Sequence, residues 1–300
     1  MDRLLWRLLD RQIDAADRRV RRVLGREKKR RYSNRLIVRM YVWAVWHDRP
    51  LCWACERENY HMLFRPRQLP SVSQFCRRVK DDPRFTLTLQ YLHEQLAACD
   101  TPSLIGCFDG KLIPVALHSA DPDAKKVRTN GGYVRGYRLH AWTDRGRIGV
   151  WSVTGANQGE QTIARALCQY LPTLSPGTLI LGDVRYDSGF LYEQVRLETR
   201  ARLLTPMQNI ARTPRHRREI KPARREAVDL WERHPKVARR LLHQRPQIDR
   251  IFGTLSSTRG GLAPLPSWVR RLDRVRRWVG VKIILHNARH RLRQNNKNSL

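Results

Sequence analysis

The sequence predicts an α/β protein in which a mixed sheet follows a helical N-terminal region and precedes basic C-terminal helices. Two observations support this fold class. Apolar residues recur at helical spacing through the first hundred positions. From about residue 101, short apolar segments typical of strands alternate with amphipathic segments, which predicts a strand meander, a helix, a strand, a helix and a strand. We therefore expect two regions, a helical one over residues 1–100 and an α/β one over residues 101–300.

The N-terminal region contains three predicted helices that bear on function. The first covers residues 3–28, and the second covers residues 33–47 and is more apolar. The third begins at Pro70-Ser71 and places basic side chains beside apolar ones; they are Arg77, Arg78 and Lys80. A short basic helix of this kind suits the major groove of DNA as a recognition helix. Packing on the protein core as an ordinary amphipathic helix is the alternative.

The α/β region over residues 101–300 contains predicted strands, turns and a helix start. Leu104–Phe108 forms an apolar strand that ends at Asp109-Gly110, and residues 137–142 and 148–153 form a hairpin around a glycine-containing turn. Residues 157–160 resemble a capping box that opens a helix, so Glu160 is interpreted as a cap rather than a catalytic acid. Leu179–Gly182 is a buried strand followed directly by Asp183.

The charge of the chain predicts a polyanionic partner. The formal net charge is +32 and the pI is near 11.2. Residues 1–100 carry a net charge of +10, residues 101–200 carry +3 and residues 201–300 carry +19. A nearly neutral centre between basic flanks is typical of a folded catalytic core between segments that bind nucleic acid. Solvated basic faces without a partner are the alternative.

Composition excludes several other classes. A hydrophobic content of 41% with nine Trp is too high for a disordered basic tail. No apolar run reaches the roughly 20 residues of a membrane-spanning helix, and the N-terminus lacks a secretory signal. Six cysteines are too sparse for a disulfide framework, and no second CxxC accompanies the single pair at Cys52 and Cys55. We expect a protein of a reducing compartment such as the cytoplasm, without structural zinc and without membrane contact.

Two aspartates, Asp109 and Asp183, each follow an apolar strand. Neighbouring strands would bring the two carboxylates together, and carboxylates held close in a buried place repel each other. A divalent cation relieves that repulsion, and Mg²⁺ prefers oxygen ligands of this kind. Two such ions about 4 Å apart support phosphodiester chemistry. A third acid is expected on a downstream helix, where Asp249 lies among the regularly spaced apolar residues Ile248, Ile251, Phe252 and Leu255.

At these three places the chain resembles the DDE transposases of bacterial insertion sequences. CFDG around Asp109 matches the segment of the first acid, and LILGDVRYDSGF around Asp183 is similar to the family's LLGDxGYDS. RPQIDRIFGTLSS is similar to the helical signature Tyr-x2-Arg-x3-Glu-x6-Lys, with Arg245 and Asp249 at its Arg and Glu. Asp109 and Asp183 are 74 residues apart, and Asp183 and Asp249 are 66 apart. The resemblance covers roughly residues 70–290 and implies an RNase H-like core.

The chain departs from the family signature at three positions. Asp249 replaces the family's Glu and is one methylene shorter, Leu242 replaces its Tyr, and Ser256 replaces its Lys. Arg250 or Arg259 is the candidate replacement for the phosphate contact of that Lys. Three acids from the preceding helical stretch are alternative third acids: Glu226, Asp229 and Glu232. A copy without a working third acid is the remaining alternative.

The resemblance implies a metal-dependent enzyme that acts on double-stranded DNA. It implies that Asp109, Asp183 and Asp249 hold two Mg²⁺ ions, for which Mn²⁺ can substitute. It further implies cleavage at terminal inverted repeats, transfer of the freed 3′-OH into target DNA, and a homodimer on paired ends. The alternatives are a catalytically inactive DNA-binding protein derived from a transposase and a nuclease without strand transfer. The resemblance also implies a location in the bacterial cytoplasm, at the nucleoid.

Overall fold

The N-terminal helices form where the apolar spacing predicts them. In the computed structural model, which describes residues 2–26, 30–99, 103–207, 220–257, 261–262 and 265–298, helix α1 spans Arg3–Leu24 and α2 spans Asn34–Trp46. Helix α3 spans Val72–Asp81 and α4 spans Pro83–Ala97. The predicted start of α3 is confirmed, because Ser71 and Gln74 form a complete capping box that satisfies backbone N–H groups of the first turn.

The chain divides into two compact units. One consists of Met1–Ala98, Leu255–Leu262 and Pro266–Leu300, and the other consists of Cys99–Thr254 and Ala263–Leu265. The first unit contains α1–α4 and the long C-terminal helix α10, Leu272–Asn298, which packs on α1, α2 and α4. The sequence groups this helix with residues 101–300, whereas its buried side chains join it to the N-terminal helices.

Buried polar contacts tie the helices of the first unit together. The Asn34 side chain donates to Asp17 at 2.9 Å and to Thr88 at 2.8 Å, which links α2 to α1 and α4. On α10, the buried Lys282 ammonium donates to the carbonyl of Val45 at 2.9 Å and pairs with Asp48. Burial lowers the pKa of Lys282 to about 8. The two contacts keep this buried cation hydrogen-bonded.

The second unit is built on a six-stranded mixed sheet. The strands are β1 (Ile105–Val115), β2 (Lys125–Thr129), β3 (Gly132–Asp144), β4 (Arg147–Gly155), β5 (Leu179–Leu181) and β6 (Arg202–Leu204). Strands β1, β3 and β4 form an antiparallel meander, and β5 and β6 extend the sheet in parallel from β1. Without β2, the order β4-β3-β1-β5-β6 is that of an RNase H-like core.

Two features of the sheet differ from the sequence prediction. Asp109 does not end a strand, because β1 continues through Asp109-Gly110 to Val115 and pairs with β3 along its whole length from Gly106 onward. Strand β2 is not predicted, because KKVRT has a single apolar residue and forms only by pairing with β3. The predicted hairpin is confirmed, and its turn at Arg145-Gly146 has φ of 46° and 80°.

The helices of the second unit follow the predicted order. Helix α5 spans Glu160–Cys168 and α6 spans Gly189–Thr199, between the parallel strands. After residue 219 come α7 (Pro222–Arg233), α8 (Pro235–Leu242) and α9 (Pro246–Ser257). In α9 the predicted apolar stripe is confirmed as buried: Ile248, Ile251, Phe252 and Leu255. Among the described residues, the helices are all too short or too polar to cross a membrane.

Candidate functional site

Asp109 is a buried carboxylate in the middle of β1. Asp109 is 8% exposed, and its Cα lies opposite the Cα of Ala141 on β3. Burial is the main cause that raises the pKa of Asp109 to about 6; a backbone hydrogen bond and Arg245 act against it, and the charges of Asp183 and Asp249 add to it. A carboxylate placed in this way gains from any added cation.

Asp183 lies at the same level of the sheet as Asp109. Strands β1 and β5 are parallel neighbours, and Cys107 pairs with Leu181. Each aspartate is two residues beyond one member of this pair, so the two aspartates lie level with each other where β5 ends. Asp183 is half-buried, and its Oδ1 accepts a hydrogen bond from the backbone N–H of Arg185 at 2.8 Å. The bond holds the short 3₁₀ turn over Val184–Tyr186.

Arg245, which directly precedes α9, and Asp249 in the first turn of α9 lie near these two aspartates. An Nη2 atom of Arg245 is 4.0 Å from Oδ1 of Asp109, and the buried Nε of Arg245 has no hydrogen-bond partner among the described residues. Asp249 is exposed in the first turn of α9, and its negative charge acts on both Asp109 and Cys107. The three acids therefore lie within electrostatic range of one another.

The donor set fits a hard divalent cation, although the carboxylates are not drawn together into a complete ligand cluster. In the part of the chain that the structure describes, no group of three or more His, Cys, Asp or Glu side chains has the geometry of a metal site. The raised pKa of Asp109, caused by burial and by two like charges, is the repulsion that a cation would remove.

A cleft of about 300 Å³ opens beside β1. Cys107, two residues before Asp109, and Ile251, two residues after Asp249, both line it. The cleft therefore lies against the strand that carries Asp109.

Glu160 is a buried acid close to this site, and its role is not the helix cap that the sequence pattern predicts. The predicted capping box is wrong, because Gly159 is the N-cap of α5 and Glu160 is the first residue of the helix. Its carboxylate pairs with the buried Arg138 of β3 and, at 3.1 Å, with the exposed Arg185. A Cβ on Gly110 would lie 3.5 Å from the Glu160 carboxyl carbon, so Glu160 packs on the strand that carries Asp109.

We expect Glu160→Gln to lower the free energy of unfolding by about 3–5 kcal/mol, because it leaves Arg138 as a buried, uncompensated charge. Glu226→Gln is the matched control, since Glu226 pairs with Arg196 at an exposed position and should cost at most about 1 kcal/mol. Urea unfolding of the whole chain measures both. Equal losses in the two variants would show that the Glu160 pair is not a buried ion pair.

The stability of the second unit should depend on two opposing titrations. His140 is 2% exposed and bonds Thr154 at 3.1 Å, and burial, followed by the charge of Arg138, lowers its pKa to about 4. As the pH falls from 6.5 to 4, the His140 imidazole is therefore protonated in the unfolded chain before it is protonated in the folded chain. This favours the unfolded chain, and the free energy of unfolding falls. Asp109, with its pKa raised to about 6, acts oppositely, since the folded chain binds its proton first between pH 6 and 3.8.

These pKa shifts predict that the free energy of unfolding of the wild type in EDTA changes little as the pH falls from 6.5 to 4. Asp109→Asn removes the compensating titration, so this variant should lose about 3 kcal/mol of stability between pH 6.5 and 4. His140→Gln should instead become more stable over the same interval. Urea midpoints across this pH range measure the slopes, and parallel slopes for the two variants would contradict the assignment.

The predicted DNA-contacting side chains differ in their availability. Arg77 and Lys80 on α3 and Arg250 on α9 are exposed. Arg78 is engaged within the protein, where it pairs with Asp82 at 2.7 Å and donates to the carbonyl of Tyr32 at 2.9 Å. Arg259 lies outside the described residues.

The alternative third acids lie on α7. Glu226 is held by Arg196 and, at 3.5 Å, by Arg202. Asp229 and Glu232 follow on the same helix. Of the described acids after Asp183, Asp249 is the one whose charge raises the pKa of Asp109.

Comparison with known proteins gives a family assignment. The profile described as transposase DDE domain matches residues 100–288. A solved structure of the piggyBac transposase, in a synaptic complex with hairpin DNA, aligns with 72% of this chain at 10% identity and a TM-score of 0.36. This chain spans about half (52%) of that protein. The comparison with curated proteins finds no match.

Proposed function

This chain belongs to the family of transposases with a DDE domain, and on that premise we propose that it cuts DNA at the ends of a transposable element and joins them to target DNA. The observation that carries the proposal is the register of β1 and β5. It puts Asp109 and Asp183 level with each other on an RNase H-like sheet, with the charge of Asp249 in range. Paired carboxylates placed in this way suit metal-assisted phosphodiester chemistry.

Asp109, Asp183 and Asp249 are the residues that would hold the metal, proposed as two Mg²⁺ ions with Mn²⁺ as a substitute. When bound, these ions supply Lewis-acid activation of the attacking oxygen and stabilisation of the leaving oxygen. Asp109 provides a rigid, buried carboxylate, and Asp183 is oriented by its bond from the Arg185 N–H. Arg245, whose Nη2 is 4.0 Å from Oδ1 of Asp109, is the residue proposed to bind a phosphate oxygen of the DNA.

The basic flanks provide the proposed DNA-binding surface. Exposed Arg77 and Lys80 on α3 are proposed to contact the terminal inverted repeats, and exposed Arg250 takes the place of the family's Lys at Ser256. Arg78 stabilises α3 rather than contacting DNA, because both its partners are internal. We propose a homodimer on paired ends, which positions two sites for two strand transfers.

A second candidate is a catalytically inactive DNA-binding protein that keeps the family fold. The specific observation in its favour is the third acid, since Asp249 has a shorter arm than Glu and does not complete a metal-ligand cluster in the described structure. This candidate predicts DNA binding without strand chemistry.

Joining of a pre-cut end tests the proposed function. A labelled element end with a free 3′-OH is incubated with supercoiled plasmid and Mg²⁺, and joined products are resolved on a gel. Wild type should join the end, Asp183→Asn should bind it without joining, and the control Glu198→Gln, at an exposed position of α6, should join normally. Binding without joining by every protein would favour the inactive candidate, and cleavage without joining would indicate a nuclease.

A further inference from the structure

A basic hairpin, residues 125–136, extends the sheet beyond the end of β4. Strand β2 pairs with Gly132–Gly136 of β3, whereas β4 pairs with β3 only from Tyr137 onward. The hairpin closes where Thr129 pairs with Gly132, whose φ of 105° is one that only glycine adopts easily. Arg135 fixes the hairpin base, since it donates to the carbonyls of Ala124 at 3.0 Å and Asp121 at 2.9 Å. It is therefore a defined projection of the catalytic unit.

The charge on this hairpin is of one sign. Lys125, Lys126 and Arg128 are exposed, and none of the three forms an ion pair within the described parts of the chain. The sequence has no Asp or Glu from residue 124 to residue 143. Elsewhere in the same unit, cations such as Arg224 are paired with buried acids, here Asp187 at 2.7 Å. The basic hairpin therefore carries an uncompensated positive charge.

An aromatic side chain accompanies these cations. Tyr133 is 67% exposed and lies directly opposite Arg128 in the strand pairing. Cations beside an exposed aromatic ring form a surface typical of nucleic-acid contact. Basic residues also protect exposed edge strands from pairing with other chains, which is the competing structural explanation. Edge protection gives no reason for an exposed Tyr in the same place.

The register of the sheet gives the distance to the proposed catalytic site. Asp109 is level with Ala141 on β3, and Gly132 at the hairpin tip is nine residues farther along that strand. At about 3.3 Å per residue this separation is about 30 Å. A duplex that follows β3 rises about 3.4 Å per base pair, so it would reach the hairpin about nine base pairs from the site.

We propose that the basic hairpin binds the phosphate backbone of duplex DNA about nine base pairs from the phosphate that is cut beside Asp109. The inference rests on the proposed function for the position of the cut. Lys126 and Arg128, which project from the same face of the hairpin as Tyr133, neutralise backbone phosphates, and Tyr133 packs against the sugar-phosphate surface beside them; Lys125 projects from the opposite face. The contact is independent of base sequence and holds the duplex in line with the catalytic site.

Duplex length and salt dependence test this proposal on the full chain. The variant Lys126→Gln, Arg128→Gln is compared with wild type for binding of a 30-base-pair duplex centred on the cut, in EDTA. We expect the slope of log affinity against log salt to fall by about 2 and the Kd to rise about tenfold or more. The charge-matched control is Arg165→Gln, Lys221→Gln, two exposed cations elsewhere in the same unit.

Trimmed duplexes then locate the contact. When the arm that reaches the hairpin is shortened to about six base pairs, wild type and the hairpin variant should bind equally, because the contact is out of reach. Tyr133→Ser should weaken binding of the long duplex, whereas Tyr170→Ser, at a similarly exposed Tyr, should not. Single substitutions at Lys126 or Arg128 should each lower the salt slope by about 1.

Two outcomes separate this inference from the proposed function. An unchanged salt slope in the hairpin variant, or a loss that persists on trimmed duplexes, would overturn the hairpin contact while leaving cleavage unaffected; increased self-association of that variant would then support edge protection. A hairpin-dependent slope in a protein that cuts no DNA would retain the contact and contradict the proposed function.

Discussion

Asp109→Asn should produce a protein that is more stable and no longer cuts DNA. At pH 8 without metal, the free energy of unfolding should rise by about 1–3 kcal/mol, because a buried carboxylate with a pKa raised to about 6 is replaced by a neutral group. The rate of DNA cleavage should fall about 10³-fold or more, since loss of a metal ligand removes several kcal/mol of transition-state stabilisation.

Urea unfolding and a cleavage assay on the same preparation measure the two effects. Glu198→Gln, an exposed acid of the same unit, is the control and should leave both quantities near wild type. A destabilised Asp109→Asn would show that this carboxylate serves the fold rather than the site. Cleavage at wild-type rate would remove Asp109 from the catalytic set.

Substitution of Asp249 should have the second large effect, and it should be purely functional. Asp249→Asn should lower cleavage about 10²-fold or more with a stability change within about 0.5 kcal/mol, because the side chain is exposed and its replacement leaves the buried stripe of α9 intact. Asp249→Glu restores the residue of the family signature and should cut within about tenfold of wild type, since the same carboxylate binds the same cations.

The pair of variants also separates the alternatives for the third acid. Full activity in Asp249→Asn, together with loss in Glu226→Gln, would assign the role to α7. If the wild type is inactive and Asp249→Glu cuts DNA, the chain is a transposase copy that lost its activity because the Asp249 side chain is one methylene too short.

The strands that precede the two central acids were predictable, because an apolar segment is a local pattern. Apolar segments before Asp109 and Asp183 predict buried strands, and β1 and β5 are parallel neighbours as an α/β arrangement requires. The continuation of β1 past Asp109-Gly110 was not predictable from the dipeptide, which is also a common turn. Pairing with β3 decides it, and that pairing joins residues far apart in sequence.

The features that the sequence did not reveal are all made by tertiary contacts. Glu160 follows a pattern typical of a cap, yet its carboxylate is drawn to Arg138, a cation 22 residues away. Strand β2 has too few apolar residues for a strand pattern and exists through its partner. The long helix α10 follows the catalytic segments in sequence, and its packing partners are helices from the other end of the chain.

Metal-dependent cleavage of a labelled element end tests the central claim most directly. Wild type and Asp109→Asn are incubated with the end in Mg²⁺, in Mn²⁺ and in EDTA, and cut strands are counted. The proposed site predicts cutting by wild type with either ion, none in EDTA, and none by Asp109→Asn in any buffer. Cutting in EDTA, or cutting by Asp109→Asn at the wild-type rate, would contradict a metal-dependent site at Asp109 and Asp183.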